Sequence, residues 1–287
     1  MQVYNMSSAS IIGRSHLKGE NGHCQDYATH IKRGDVYAIV LADGAGSYRF
    51  SKLGAKHISN YVLTYLSKHF DKLYDYERLP TLLTNKIEEF LHRIALIKNI
   101  DMNELSSTLL FVVIKDDRFL AGHIGDGVIG YKKKGELKVL SHPLNGDSAN
   151  STYFTTSISF ENRLRIYKGN IKEIEAFLLM SDGLGDSLYI RRERILAKFA
   201  DKIIDAANTN SKDKRDEILN YILAQLREKT MDDCSLAVIK KREDTLKPED
   251  DKEVKSKLDI HQLPFVATAY SFYSPLKAIS NYSVAEK

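Results

Sequence analysis

Residues 177–188 read FLLMSDGLGDSL. An apolar run drives into a serine and then into two aspartates, Asp182 and Asp186, each beside a glycine. The run AFLLM (176–180) suits a strand buried on both faces, although a short apolar run by itself is also compatible with buried helix. Ser-Asp-Gly ends it, because Asp and Gly favour turns. Asp182 therefore stands at the mouth of a hydrophobic strand, where a carboxylate is poorly solvated without a partner. That partner is a hydrogen-bonded turn, a basic side chain or a metal.

The same pattern occurs twice more. VYAIVLADGAG (36–46) places Asp43 after an apolar run and before Gly44, and MDDCSLAVIK (231–240) puts Asp232 and Asp233 just ahead of one. One such Asp reads as a turn residue bonding its own backbone. Three at the ends of core strands, if those ends are neighbours, bring together negative charges that need cations.

Outward from these runs, segments near 8–14, 27–33 and 36–42 read as strands. Residues 51–73 and 79–100 carry apolar residues at helical spacing. SSTLLFVVIK, RFLAGHIG and GVIGYKKK give three short strands separated by turn signals at 115–118 and 125–127. Residues 141–160 are polar and without a clean period, and read as a long loop or flap of the kind that often serves a site. RLRIYKG and AFLLM are strands, helices follow near 191–205 and 212–229, and CSLAVIKK closes the set. Strands, two helices, strands, two helices and a strand are not strict βαβ alternation, so an α+β fold with helices covering sheet faces is expected. After Lys241 a charged linker (241–258) leads to an apolar and aromatic extension (259–287), which is expected to be buried on the domain or on a protein partner.

The 287 residues are 43% hydrophobic, enough for a sizeable core, and carry a formal net charge of +4 from 42 basic and 38 acidic residues. That small, scattered excess argues against nucleic-acid binding. No apolar run reaches the roughly 18 residues of a membrane span. The N-terminus lacks a secretory pattern, so a cytoplasmic setting is expected. Cys24 and Cys234 read as small buried side chains, and His123 as a packed core residue. No GxxxxGK[ST] loop is present, which argues against an ATPase or GTPase.

In chain order the acidic turns are CQDYA (24–28), LADGAG (41–46), GHIGDGVIG (122–130), LLMSDGLGD (178–186) and MDDCS (231–235). Over roughly residues 8–240 this series resembles the metal-dependent protein phosphatases of type 2C, the PPM family, and within it a divergent bacterial branch with a Gly-x-x-His element, here Gly13 to His16. The resemblance implies a four-layer αββα sandwich of two mainly antiparallel sheets flanked by helices. It also implies hydrolysis of phosphoserine or phosphothreonine in phosphoprotein substrates, with two or three Mn²⁺ or Mg²⁺ ions. By position, Asp43 would bridge two ions, the Gly44 carbonyl would bind one, and Asp182 and Asp232 would hold the other. Asp26 would act through waters, and Asp126, Asp182 and Asp186 would form a third, weaker site. An all-oxygen set suits Mg²⁺ or Mn²⁺ rather than zinc. A pair of such ions activates water for in-line attack on phosphorus.

The sequence departs from the family pattern at the residues that grip substrate. Ala45 stands where animal members carry a histidine proposed as general acid, leaving His16 or water to protonate the leaving group. Asn21 replaces the expected phosphate-binding arginine, and Arg14, His16 or Lys18 are the candidate substitutes. Gly-Asp-Ser-Arg has become Gly125-Asp126-Gly127-Val128. The retained carboxylates favour an enzyme. The missing arginine leaves a second reading, a pseudophosphatase that binds a phosphoprotein or partner without turnover. A third, a phosphohydrolase acting on a small molecule, shares the same site.

Overall fold

The computed structural model describes residues 2–18, 22–144, 152–158, 160–209 and 211–242. Apart from Lys241 and Arg242, the expected linker and extension lie outside the described residues, as does the middle of the expected flap.

Two five-stranded antiparallel sheets form the body. The first runs β2 (Tyr27–Arg33), β3 (Val36–Ala42), β4 (Leu109–Lys115), β5 (Arg118–Ile124) and β8 (Arg165–Asn170). The second runs β1 (Tyr4–Ile11), β12 (Cys234–Lys241), β9 (Ile174–Met180), β6 (Val128–Lys133) and β7 (Glu136–Ser141). Helices α1 (Ser51–Tyr74) and α2 (Leu79–Lys98) cover the first sheet. Helices α4 (Phe199–Ala206) and α5 (Lys212–Arg227) cover the second, giving the expected αββα layering. A short α3 (Gly185–Leu188) and a hairpin of β10 (Tyr189–Ile190) and β11 (Ile195–Leu196) sit between β9 and α4.

The continuous apolar runs follow from this layering. An antiparallel strand commonly alternates because one face meets water, whereas here both faces of the central strands are covered. In β3, Val36, Ala38 and Val40 pack under the helices while Tyr37, Ile39 and Leu41 face the opposite sheet. In β9, Leu178 and Met180 meet helices and Phe177 and Leu179 fill the space between sheets.

Four details differ from the sequence reading. The first strand is Tyr4–Ile11 rather than 8–14, because its register with β12 ends at Ile11 opposite Cys234 and Gly13 already belongs to a turn. Glu136–Ser141 forms β7, a strand the sequence reading left out. Helix α2 stops at Lys98, where Asn99 takes a left-handed φ of 53°. Residues 191–198 are not helical. The two-residue alternation of buried Tyr189 and Leu196 with exposed Ile190 and Ile195 closes a hairpin, and Arg194 enters it at a left-handed φ of 60°, which a helix cannot accommodate.

Candidate active site

All five acidic turns reach one end of the sandwich. Asp43 leaves β3 and Asp26 enters its partner β2, while Asp182 leaves β9 and Asp232 and Asp233 enter its partner β12. Asp126 sits in the turn between β5 and β6. Together they border a cleft of about 430 Å³ lined by Asp43, Gly44, Asp126, Asp182, Asp232 and Asp233, with Asp26 buried beneath. Ser15, His16, Gln25, Thr108, Thr152 and Phe154 complete much of the wall.

Backbone bonds fix the Asp43 turn. The Asp43 N–H donates to Thr108 Oγ1 at 2.9 Å, and the Thr108 N–H returns to the Asp43 carbonyl at 2.8 Å. The carboxylate of Asp43 meets those of both Asp26 and Asp182. No protein donor is in bonding geometry with either oxygen of Asp26 or with Asp182 Oδ1, all of them buried. The Ser235 hydroxyl stands beside Asp26 but is itself unbonded. Burial, above all, pushes Asp26 up to about 7, and the charges of Asp233 and Asp182 add to it. Burial and then the charges of Asp26 and Asp182 hold Asp43 well above the usual carboxylate range. Burial and the charge of Asp126 bring Asp182 to about 6. Among the described residues no group of three His, Cys, Asp or Glu side chains is placed to hold a metal ion by itself. The convergence runs through pairs that share Asp43.

Asp233 is held quite differently. Its Oδ1 accepts from the Gly13 N–H at 2.6 Å and lies 3.0 Å from His16 Nδ1, while its Oδ2 accepts from the Gln25 N–H at 2.6 Å. The Ser15 N–H and hydroxyl both donate to the Met231 carbonyl, at 3.0 and 2.7 Å. The Gly13–His16 turn is thereby clamped to residues 231–233. Gly13 is required there, since a Cβ would fall 2.3 Å from the Asp232 carbonyl carbon. Gly183 is required for the same reason, with the Asp233 carbonyl oxygen 2.1 Å from where its Cβ would lie.

The sequence model of the protein phosphatase 2C family matches residues 12–224, which take in four of the five acidic turns. The chain belongs to the protein phosphatase 2C family. A curated relative, serine/threonine-protein phosphatase 3 of Escherichia coli K12, is 27% identical over 185 residues, covering 61% of this chain and 72% of its own. Among solved structures, the catalytic domain of the serine/threonine phosphatase PstP, determined with two manganese ions, superposes with a TM-score of 0.55 at 16% identity, covering 85% of this chain and all of its own. Stp1 of Staphylococcus aureus gives 0.57 at 12% identity, covering 84% and 95%. At those identities the structural likenesses show the phosphatase 2C fold.

Within this phosphatase 2C cleft the sequence-derived residues divide. Asp43, Gly44, Asp126, Asp182, Asp232 and His16 line it and Asp26 lies under it. Arg14 is not on its wall, and its Nε donates to the Thr230 carbonyl at 2.8 Å. The side chains of Lys18 and Asp186 lie outside the described residues. The flap expectation holds for its described second half: Thr152 donates to Asp126, Thr155 N–H bonds the Ser107 carbonyl at 2.9 Å, and Phe154 faces the cleft. Burial raises the Asp126 carboxyl, an effect opposed by the Thr152 bond and by the charge of Arg191. His123 is fully buried in β5, where burial and Arg165 hold it well below its ordinary range. Neither thiol suits nucleophilic work, because burial followed by neighbouring carboxylates raises both, Cys234 to about 12.

Sequence reasoning missed Thr108, Thr152, Arg191 and the clamping role of Asp233. The first two are ordinary threonines in sequence. Asp233 was visible only as the second of two adjacent aspartates.

Proposed function

We propose that the protein is a Mn²⁺- or Mg²⁺-dependent serine/threonine protein phosphatase that acts in the cytoplasm. One observation carries this reading: the half-buried Asp43 carboxylate meets both Asp26 and Asp182, whose buried oxygens no protein donor bonds. Buried carboxylates in mutual contact are unfavourable unless protonated or neutralised. Their oxygen chemistry fits hard divalent cations. Asp43, Asp182, Asp232 and the Gly44 carbonyl would hold two such ions, Asp26 would act through waters, and Asp126 with Asp182 and Asp186 would hold a weaker third. When bound, the ions would supply an activated water and a clamp on the phosphoryl oxygens.

The chain's own residues do the rest. Thr108 fixes the Asp43 turn from both backbone directions, so the central carboxylate keeps its place as charge changes around it. His16, on the cleft wall with Nδ1 against Asp233, would serve as the proton donor to the leaving oxygen, with Asp233 fixing the ring. The manganese of PstP supports the choice of ion. The acidic cluster also disfavours a binding module without turnover, which has no use for carboxylates so costly to bury.

Hydrolysis of p-nitrophenyl phosphate and of a phosphothreonine peptide, with Mn²⁺, with Mg²⁺ or with EDTA, tests the reading. Activity should require the cation and fall on the order of 10²–10³ in Asp43→Asn, the usual loss when one electrostatic element is removed from a site. Wild-type turnover in that variant at limiting metal would sink the assignment. Tight phosphopeptide binding with no turnover under any cation would instead favour the pseudophosphatase.

A further inference from the structure

The β10–β11 hairpin carries the turn Arg191-Arg192-Glu193-Arg194, and all four residues are exposed. The turn is fixed to the body from its inner side. Tyr189 and Leu196 are buried, the Tyr189 hydroxyl lies 2.9 Å from His142 Nδ1, and Leu196 occupies the space that a side chain on Gly130 would need. Across the hairpin, the Arg194 N–H donates to the Ile190 carbonyl at 2.8 Å.

This turn borders the acidic cleft. A Cβ on Gly185, three residues after Asp182, would come within 3.2 Å of the Arg191 guanidinium. The charge of Arg191 acts on Asp126 in the cleft wall, and that of Arg194 acts on His142. His142 in turn precedes Leu144, whose N–H holds the Gly125 carbonyl at 3.0 Å. Several other surface cations are paired: Lys133 and Lys134 with Glu173, and Lys115 and Arg118 with Asp71. Arg192 and Arg194 form no ion pair among the described residues.

The cleft wall carries carboxylates and neither Lys nor Arg among the described residues, so the guanidinium groups that could meet acidic side chains of a peptide lie outside it. Guanidinium groups match carboxylates in a planar, bidentate fork. We propose that the 191–194 turn is a specificity element that captures Asp and Glu side chains flanking the phosphorylated residue of the substrate. It deepens the phosphatase reading of the neighbouring cleft and rests on it for the identity of the substrate as a phosphoprotein.

The experiment compares two phosphothreonine peptides that differ only in carrying aspartates or glutamines beside the phosphoresidue. Full-length wild type and the Arg192→Glu/Arg194→Glu double variant are assayed with Mn²⁺. In wild type the acidic peptide should have the higher kcat/KM by roughly five- to tenfold, as two exposed ion pairs supply. The preference should lie in KM and shrink with added salt. In the double variant it should vanish or invert while p-nitrophenyl phosphate, which has no flanks, turns over as before. Equal kcat/KM for the two peptides in wild type, or an unchanged preference in the variant, overturns the proposal. Fluorescence anisotropy of the same peptides reads docking without turnover. A charge-dependent preference in binding with no hydrolysis of any substrate would support docking and refute the phosphatase. Hydrolysis with no preference in either readout would refute docking alone.

Discussion

Two sets of carboxylate share the cleft and are treated oppositely. Asp233 receives two backbone N–H groups and faces His16, so its charge is met by the protein. Asp26 and Asp182 receive no such donors on their buried oxygens and abut the carboxylate of Asp43. Within residues 231–233 only Asp233 is buried and clamped, while Asp232 is exposed and its Oδ1 accepts from the Asp233 N–H at 2.8 Å. Asp233 is a structural tie that works in any ionic condition. The Asp26–Asp43–Asp182 set is folded in an electrostatically unfavourable form that a bound cation would relieve. Acidity alone does not mark a ligand; the donors around it do.

Asp233→Ala should give the largest loss of stability, because it strands the N–H groups of Gly13 and Gln25. Each stranded donor costs about 1–3 kcal/mol. At roughly 2–4 °C per kcal/mol in a domain of this size, the metal-free protein should melt several degrees lower in a calorimetric scan. A melting temperature equal to wild type would erase the distinction between the two sets.

Asp26→Asn should act in the other direction. Above about pH 7, where Asp26 ionises, it removes one charge from the cluster and gives an amide that can donate to Asp43, so the metal-free protein gains on the order of 1 kcal/mol while stabilisation by Mn²⁺ weakens. The pH trend sharpens the same contrast. In the native metal-free protein Asp26 holds its proton up to about pH 7 and Asp182 up to about pH 6, whereas unfolded carboxyls release theirs near 4. Between those limits the native state binds more protons than the unfolded one. Stability of the metal-free protein should therefore fall as pH rises from about 4 to 7. Saturating Mn²⁺ should flatten or reverse that slope, since the ion displaces the protons. A metal-free stability that climbs with pH across the window would contradict the cluster's assignment.

Asp126→Ala should have the smallest effect. Its side-chain donor is the half-buried Thr152 hydroxyl, which can turn to water, so loss of the carboxylate should change melting by little and reduce turnover mainly at low metal concentration. Titration calorimetry that finds all Mn²⁺ binding gone in this variant would merge Asp126 with the principal cluster.

The layers and most strands were legible because runs such as 36–42 and 176–180 stay apolar at every position, which only two-sided burial favours. The hairpin at 189–196 was not. Its turn, Arg-Arg-Glu-Arg, is made of good helix formers, and only the two-residue alternation around it, over four positions, signals a strand pair. The strand Glu136–Ser141 does alternate, with Leu137 and Val139 inward and Glu136 and Lys138 outward, but it is short and adjoins a lysine-rich turn. The aspartates that converge could be named from their strand ends. Which of Asp232 and Asp233 is clamped depends on the geometry with which β12 begins, and two identical neighbours in a sequence do not reveal it.

The packing between the sheets has a mechanical consequence. Asp43 and Asp26 belong to the first sheet, Asp182 and Asp232 to the second, and Phe119, Phe177, Ile39 and Leu179 form part of the seam between them. A cation shared by Asp43 and Asp182 would act as a rivet through two plates. Its grip would depend on how the plates slide, so a change of side-chain volume at Phe177, in the seam between them, would alter the alignment of the rivet holes.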